Sequence, residues 1–297
     1  MAGLGEKAGI DEGEVRRIVA GALAEDGASN DVTTSYLGIG GRTIAASLLA
    51  RAEGVVAGID VVRVVFEEAG GGVDFHPKVA DGARVRAGDV LARVFGTAAV
   101  ILAAERTALN FIQRLSGVAT LAAAFVARVK GTGVTILDTR KTTPLLRSLE
   151  KYAVRVGGGQ NHRLGLSDMV LVKDNHLQIV GGPGLKDLLQ RKTAPVDIEV
   201  EVDSLASLRA LLGAPVQRVM LDNFLPDEVS QAVRMILEYR RDHPGFAPAV
   251  EVSGGVDLSN IREYAIPGVD FISVGALTHS AAALDLTLEV DGDAGQG

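Results

Sequence analysis

From residue 134 onward the chain repeats one unit six times. A run of four to six apolar residues ends in a polar or glycine-rich step and leads into a loop or helix. The runs read VTILDTRK, DMVLVKDN, DIEVEVDS, QRVMLDN, AVEVSGG and FISVGA. Near-continuous apolar strands are those buried on both faces, the condition of a parallel sheet covered by helices. The segments Leu185 to Arg191, Ser204 to Leu212, Pro226 to Arg241 and Leu258 to Tyr264 read as those helices. Six such units in succession predict a closed or nearly closed α/β barrel. Barrels of this type gather their reactive groups at the carboxyl ends of the strands. Asp138, Lys173, Glu201, Asp222 and Ser253 each stand at that end of a run, so a convergent site is expected there.

The first half has a different texture. From Asp11 to Glu25 the apolar residues Val15, Ile18, Val19, Ala22 and Leu23 recur at helical spacing. Between Thr43 and Val94 short β-rich runs alternate with glycine-containing turns. One of them, VADGARVRAGDVLARVFG, reads as a hairpin with turns at Asp81-Gly82 and Gly88-Asp89. It looks like the barrel-sandwich fold of lipoyl and biotinyl carriers, but neither Gly-Asp turn offers the attachment Lys that a carrier needs. From Glu105 a helix places Leu109, Ile112 and Leu115 on one side, and Ser116-Gly117 is expected to separate it from a second, Ala-rich helix ending near Lys130. At roughly 150 residues per domain the chain has room for two. They are drawn at 1–116 and 117–280, with 281–297 expected to pack on the first.

Composition narrows the chemistry. With no cysteine among 297 residues there is no disulfide, no thiolate nucleophile and no Cys-ligated metal. The charged opening stretch lacks the apolar core of a secretory signal. Apolar stretches such as Gly117 to Ala127 fall short of the ~20 residues that span a membrane. A cytoplasmic protein is the expectation. The formal charge of −7 excludes a generally basic, nucleic-acid-binding surface. That average conceals a division: Asp138 to His176 holds seven Lys and Arg against four acids, a local +3, which leaves −10 for the rest. A cationic pocket in an acidic protein suits small polyanions, because a low-dielectric cleft focuses the field.

Three groups of residues can carry that chemistry. Arg140, Lys141 and Lys173 follow strand ends, and His162 and Arg163 follow the GGGQN turn, so these five are expected at the barrel mouth. Arg147, Lys151 and Arg155 recur with Leu146, Leu149 and Tyr152 as a solvated helix face, and Arg114 and Arg128 read as surface groups. Glu201 and Asp222 end successive strands. They suit either magnesium, which one or two carboxylates hold beside substrate oxygens, or salt bridges to nearby bases. Ser253-Gly254-Gly255 and Gly275-Ala276 close the last two strands, where barrels commonly cradle phosphate. There is no G-x-S-x-G elbow and no P-loop. Group transfer involving a phosphorylated, magnesium-chelating substrate and a carboxylate-bearing one fits best.

At these residues the sequence resembles the quinolinate phosphoribosyltransferases. The matching strings are ERTALNFIQRLSG, DTRKTTP, GGGQNHRLGLSD, LVKDNH, EVEVD, LDNF, SGGV and SVGALTHS, in order over roughly Glu25 to Ser280. Asn30 before Asp31 departs from the Gly common there. The resemblance implies an α/β fold with an N-terminal α/β sandwich domain and an incomplete α/β (TIM-like) barrel. It also implies homodimers, or higher homo-oligomers, that complete each other's sites, with no nucleic-acid or membrane partner. Carried over by motif, quinolinate falls on Arg106 (supplied across the interface), Arg140, His162, Arg163 and Lys173. Lys141, Ser253, Gly254, Gly255 and Gly275 fall on 5-phosphoribosyl 1-pyrophosphate. Catalysis falls on Lys141, Glu201 and Asp222, the latter two holding Mg2+. The implied reaction yields nicotinate mononucleotide, pyrophosphate and CO2, a step of NAD biosynthesis. The competing readings are a transferase for nicotinate or another acid, a lyase or aldolase using Lys173 as a Schiff-base amine, and a non-enzymatic carrier.

Overall fold

The computed structural model describes residues 10–180, 185–191 and 195–293. They form two compact units, one drawn from residues up to 123 with 142–158 and 277 onward, the other from 124–141 and 159–276. In chain order the strands are β1 (Thr43–Ala50), β2 (Gly54–Val55), β3 (Asp74–Pro77), β4 (Arg84–Val85) and β5 (Val90–Thr97). Then come β6 (Thr135–Leu137), β7 (Val170–Val172), β8 (Ile198–Val202), β9 (Arg218–Asp222), β10 (Ala249–Ser253), β11 (Phe271–Ser273) and β12 (Leu286–Asp293).

The first unit is an antiparallel sheet in the order β12-β1-β5-β3 together with helices. Its helix Glu12–Asp26 begins at Asp11, whose side chain accepts the Gly13 N–H at 2.8 Å, and ends at left-handed Gly27. The expected hairpin through residues 79–96 is split. β4 pairs with β2, whereas β5 pairs with β1 and β3. Asp81 explains the split, because its carboxylate accepts the Gly58 and Ile59 N–H groups at 2.9 and 3.0 Å and so caps the helix Ile59–Glu68. Residues 281–297 were expected on this unit. Of them, β12 pairs with β1 from Leu286 opposite Ala50 to Asp293 opposite Ile44, and residues 294–297 lie outside those described.

Three sequence expectations fail here for one reason. The helix does not break at Ser116-Gly117 but runs from Ala98 to Arg128. Gly117 answers a close approach: a Cβ there would run into the Ala282 carbonyl. Arg114 is not a surface group. It donates to buried Glu150 from Nε at 3.0 Å and Nη2 at 2.7 Å, and Glu150 also accepts the Thr143 N–H and hydroxyl. Lys151, expected on a solvated face of the helix Arg147–Val156, is buried. Each case is tertiary contact overriding local pattern. By length and composition Ala98–Arg128 is also apolar enough to cross a membrane, beyond what the uninterrupted runs implied, yet over half of its most apolar window is buried.

The second unit is a six-stranded parallel sheet in the order β6-β11-β10-β9-β8-β7. All six apolar runs became its strands. β6 and β7 are successive in the chain yet occupy opposite edges and do not pair with each other among the described residues, so the barrel is incomplete. Gln160 makes a lone parallel bridge to Leu137 at the β6 edge. The helices Leu185–Arg191, Leu205–Leu211 and Pro226–Asp242 follow the expected segments. The last is shorter, Ile261–Tyr264, because Asp257 holds the N–H groups of Ser259 and Asn260 in a turn ahead of it.

Candidate active site

Side chains alternate across a strand, so residues two apart share a face. Glu199 and Glu201 share one on β8, Arg218, Met220 and Asp222 on β9, and Glu251 and Ser253 on β10. The register sets Glu199 beside Arg218 and Asp222 beside Ser253. Arg218 Nη1 reaches Glu251 Oε2 at 2.7 Å across the strands, which marks this as the common inner face.

Asp138, fully buried just past β6, organises the cationic turn. Its Oδ1 accepts the His162 backbone N–H at 2.9 Å, and its Oδ2 accepts the Asn161 side-chain amide. The buried His162 ring points inward, with Nε2 2.9 Å from Glu199 Oε2. Arg163 donates from Nη1 to the Met169 carbonyl at 3.2 Å. Burial pulls its guanidinium below the ordinary arginine range, and the charge of Arg140 adds to that. Among the described residues Arg140 Nε is itself buried without a hydrogen-bond partner. Arg suits a carboxylate because its guanidinium fork is planar and bidentate.

At the strand ends Lys173 Nζ lies 2.7 Å from Glu201 Oε2. Burial raises the Asp222 carboxyl above the usual range; Glu201 adds to the shift, while Lys173 and Lys141 oppose it. Those four side chains therefore share one neighbourhood, with Lys141 exposed. A cleft of about 310 Å³ beside Glu201 is lined by Asp174, Asp203 and Ser207 with Leu177 and Gln178. β10 ends at Ser253 and turns through Gly254 and Gly255, both at positive φ. A Cβ on Gly254 would collide with the Asn223 side chain, so glycine is required there. Gly275 lies two residues beyond the end of β11. Arg106 is exposed on the helix Ala98–Arg128, in the other unit.

Sequence reasoning missed Glu199, Arg218 and Glu251. A signal was present: DIEVEVDS and AVEVSGG each set a carboxylate inside a run that is apolar on both sides. Burial pushes both carboxyls up to about 7. Arg218 opposes the shift at Glu199, and the charge of Glu199 adds to it at Glu251.

An incomplete α/β barrel whose strand ends gather guanidinium, ammonium and carboxylate groups, with a glycine turn on a late strand, defines an enzyme of group transfer between anionic substrates. The comparisons make this specific. The model described as quinolinate phosphoribosyl transferase, C-terminal domain, matches residues 118–289, and its N-terminal counterpart matches 31–116. The chain belongs to the quinolinate phosphoribosyltransferase family. A nicotinate-nucleotide pyrophosphorylase (carboxylating) of Mycobacterium leprae is 45% identical over 265 residues, covering 88% of this chain and 91% of that protein. Quinolinate phosphoribosyltransferase (decarboxylating) 1b of Nicotiana tabacum is 36% identical over 291 residues, covering 94% and 83%. The solved nicotinate-nucleotide pyrophosphorylase of Francisella tularensis has a TM-score of 0.85 at 36% identity, covering 95% of this chain and 98% of that one.

Proposed function

We propose that this chain carries out its family's reaction at the mouth of the barrel, joining quinolinate to 5-phosphoribosyl 1-pyrophosphate with loss of pyrophosphate and CO2. The Arg140 and Arg163 guanidinium groups carry the reading: burial and the charge of Arg140 both act against Arg163, and a bound dicarboxylate offsets that cost. Arg140, Arg163 and Lys173, with His162 beside them, form the quinolinate side. The partner subunit's Arg106 joins them in a homodimer or higher homo-oligomer. Lys141, Ser253, Gly254, Gly255 and Gly275 form the side for the phosphoribosyl donor.

The pyridine nitrogen attacks the anomeric carbon while the bond to pyrophosphate breaks. Lys141 neutralises the departing charge, and Glu201 and Asp222 favour the positive charge growing on the ribose ring. The ribosylated nitrogen then draws in the electron pair of the adjacent carboxylate bond. CO2 leaves and a proton takes its place on the ring. Magnesium fits Glu201 and Asp222, because the donors are all oxygens and a dication offsets the burial and the Glu201 charge that raise the Asp222 carboxyl. When bound, it supplies charge neutralisation at the pyrophosphate. The same proposal locates the enzyme in the cytoplasm, which cell fractionation checks.

Incubation with magnesium, the phosphoribosyl donor and carboxyl-labelled quinolinate is expected to release labelled CO2 and form nicotinate mononucleotide, with nicotinate left unconsumed. Consumption of nicotinate without CO2 from quinolinate would defeat the reading.

A further inference from the structure

Glu150 is fully buried, yet both of its carboxylate oxygens hold an exposed residue, Thr143. Oε2 accepts the Thr143 N–H at 3.0 Å and Oε1 accepts the Thr143 hydroxyl at 2.7 Å. Arg114 balances the charge, donating to Oε1 from Nε at 3.0 Å and from Nη2 at 2.7 Å. The same guanidinium is fixed in turn by the Ala281 carbonyl at 3.0 Å and by the Thr278 carbonyl. What the carboxylate holds is a strained turn. The Leu146 N–H bonds the Thr143 carbonyl at 3.1 Å, closing a turn over Thr143, Pro144, Leu145 and Leu146. Within it Leu145 has a φ of 66°, in the left-handed region. Proline second and a positive φ third is the pattern of a type II turn, whose third position favours glycine or asparagine. Leucine is disfavoured there because its Cβ crowds the following carbonyl. Burial does not compensate, since Leu145 is 83% exposed. The turn is therefore held from outside itself.

Resting on the function proposed above, we infer that Glu150 is a positioning residue. Backed by Arg114, it keeps Leu145 left-handed and so fixes the segment that carries Arg140 and Lys141. Thr143 follows Lys141 by two residues and Arg140 by three, so a change in the turn passes along the backbone to both. The start of the segment has its own anchors. The Asp138 N–H bonds the Gln160 carbonyl at 3.2 Å, and the Lys141 N–H bonds the Thr139 hydroxyl at 3.1 Å. At the far end Arg147 Nε donates to the Thr142 hydroxyl at 3.0 Å, and Glu150 holds the residue after it. Without the carboxylate, Leu145 relaxes toward negative φ, the turn opens and the two cations lose their placement. A glycine at 145 takes the same φ at no steric cost, which makes the turn independent of the carboxylate. That interdependence separates positioning from a plain buried ion pair, which has no reason to respond to residue 145.

Two measurements test this. Hydrogen exchange across residues 141–148 reads the turn in the full-length protein without any turnover, whatever the activity assay says of the proposed reaction. Glu150→Gln is expected to speed exchange there about tenfold, the order expected for a lost hydrogen bond to a charged group. Adding Leu145→Gly is expected to restore most of the protection. In steady state, kcat/KM for both substrates is expected to fall about tenfold in Glu150→Gln, on the same scale, and to recover most of that loss in the double variant. Leu145→Gly alone is expected to keep the wild-type rates. Unchanged exchange in Glu150→Gln, or equal losses in the single and double variants, would overturn the inference. If Glu150→Gln does not fold, Thr143→Val replaces it, since it removes the hydroxyl bond and leaves the pair with Arg114 intact. Faster exchange with a lower kcat/KM is then expected. Wild-type exchange and rates would overturn the inference, because they are what a role confined to the ion pair predicts.

Discussion

Burial and the charge of Arg140 both act against the Arg163 guanidinium, so an anion bound beside it offsets that cost. Arg140→Lys keeps the charge but loses the planar fork. It is expected to raise the quinolinate KM about tenfold with little change for the phosphoribosyl donor, read by steady-state kinetics. Glu251 supports a second prediction at this scale. Its carboxyl is pushed up to about 7 by burial and by Glu199, against the opposing effects of His162, Ser273 and Arg218. The folded protein therefore holds this proton more tightly than the unfolded chain. That contribution to stability is complete below the ordinary glutamate value and is lost as pH rises through about 7. Glu251→Gln should flatten the pH dependence of the urea midpoint across that window. Neither effect is legible from Glu251 in the sequence, where it is one acid in an apolar run and nothing names Arg218 or Glu199 as its neighbours.

Among the elements, the helix Ala98–Arg128 shows how far local pattern reaches. A glycine after serine reads as an interruption, since glycine weakens helices by about 1 kcal/mol relative to alanine. At Gly117 that cost is tolerated because the backbone carrying Ala282 passes where a Cβ would sit. Gly117→Ala is accordingly expected to destabilise by about 1–3 kcal/mol through overpacking, despite its better helix propensity. Gly21, exposed in the helix Glu12–Asp26 with open space at its Cβ, is the control. Gly21→Ala should stabilise by about 0.5–1 kcal/mol. Urea unfolding of the two variants is expected to give shifts of opposite sign. The strands were more legible than the helix. DIEVEVDS and QRVMLDN announce β8 and β9 because burial on both faces leaves few residue types to choose from, and their polar ends follow from where the sheet stops.

For the whole molecule, the proposed sharing of Arg106 between subunits gives its own expectation. Arg106→Ala and Lys141→Ala chains, each inactive alone, should recover activity when mixed and allowed to exchange subunits. Verified heterodimers without activity would count against a shared site. By itself the sequence determined the six strands of the barrel and the end at which Lys173, Glu201, Asp222 and Ser253 stand, while Arg147, Lys151 and Arg155 of the cationic segment fall in the other unit. Those properties depend on period, burial and local charge, all of which are written along the chain. Only the tertiary structure decided which charges meet: His162 with Glu199, Arg218 with Glu251, and Arg114 with Glu150. It also decided that the helix continues through Gly117 and that β4 leaves β5 for β2. Each of these depends on what lies across a sheet or beside a helix, dozens of positions away, and a buried charge takes its partner by distance in space, which no local pattern records.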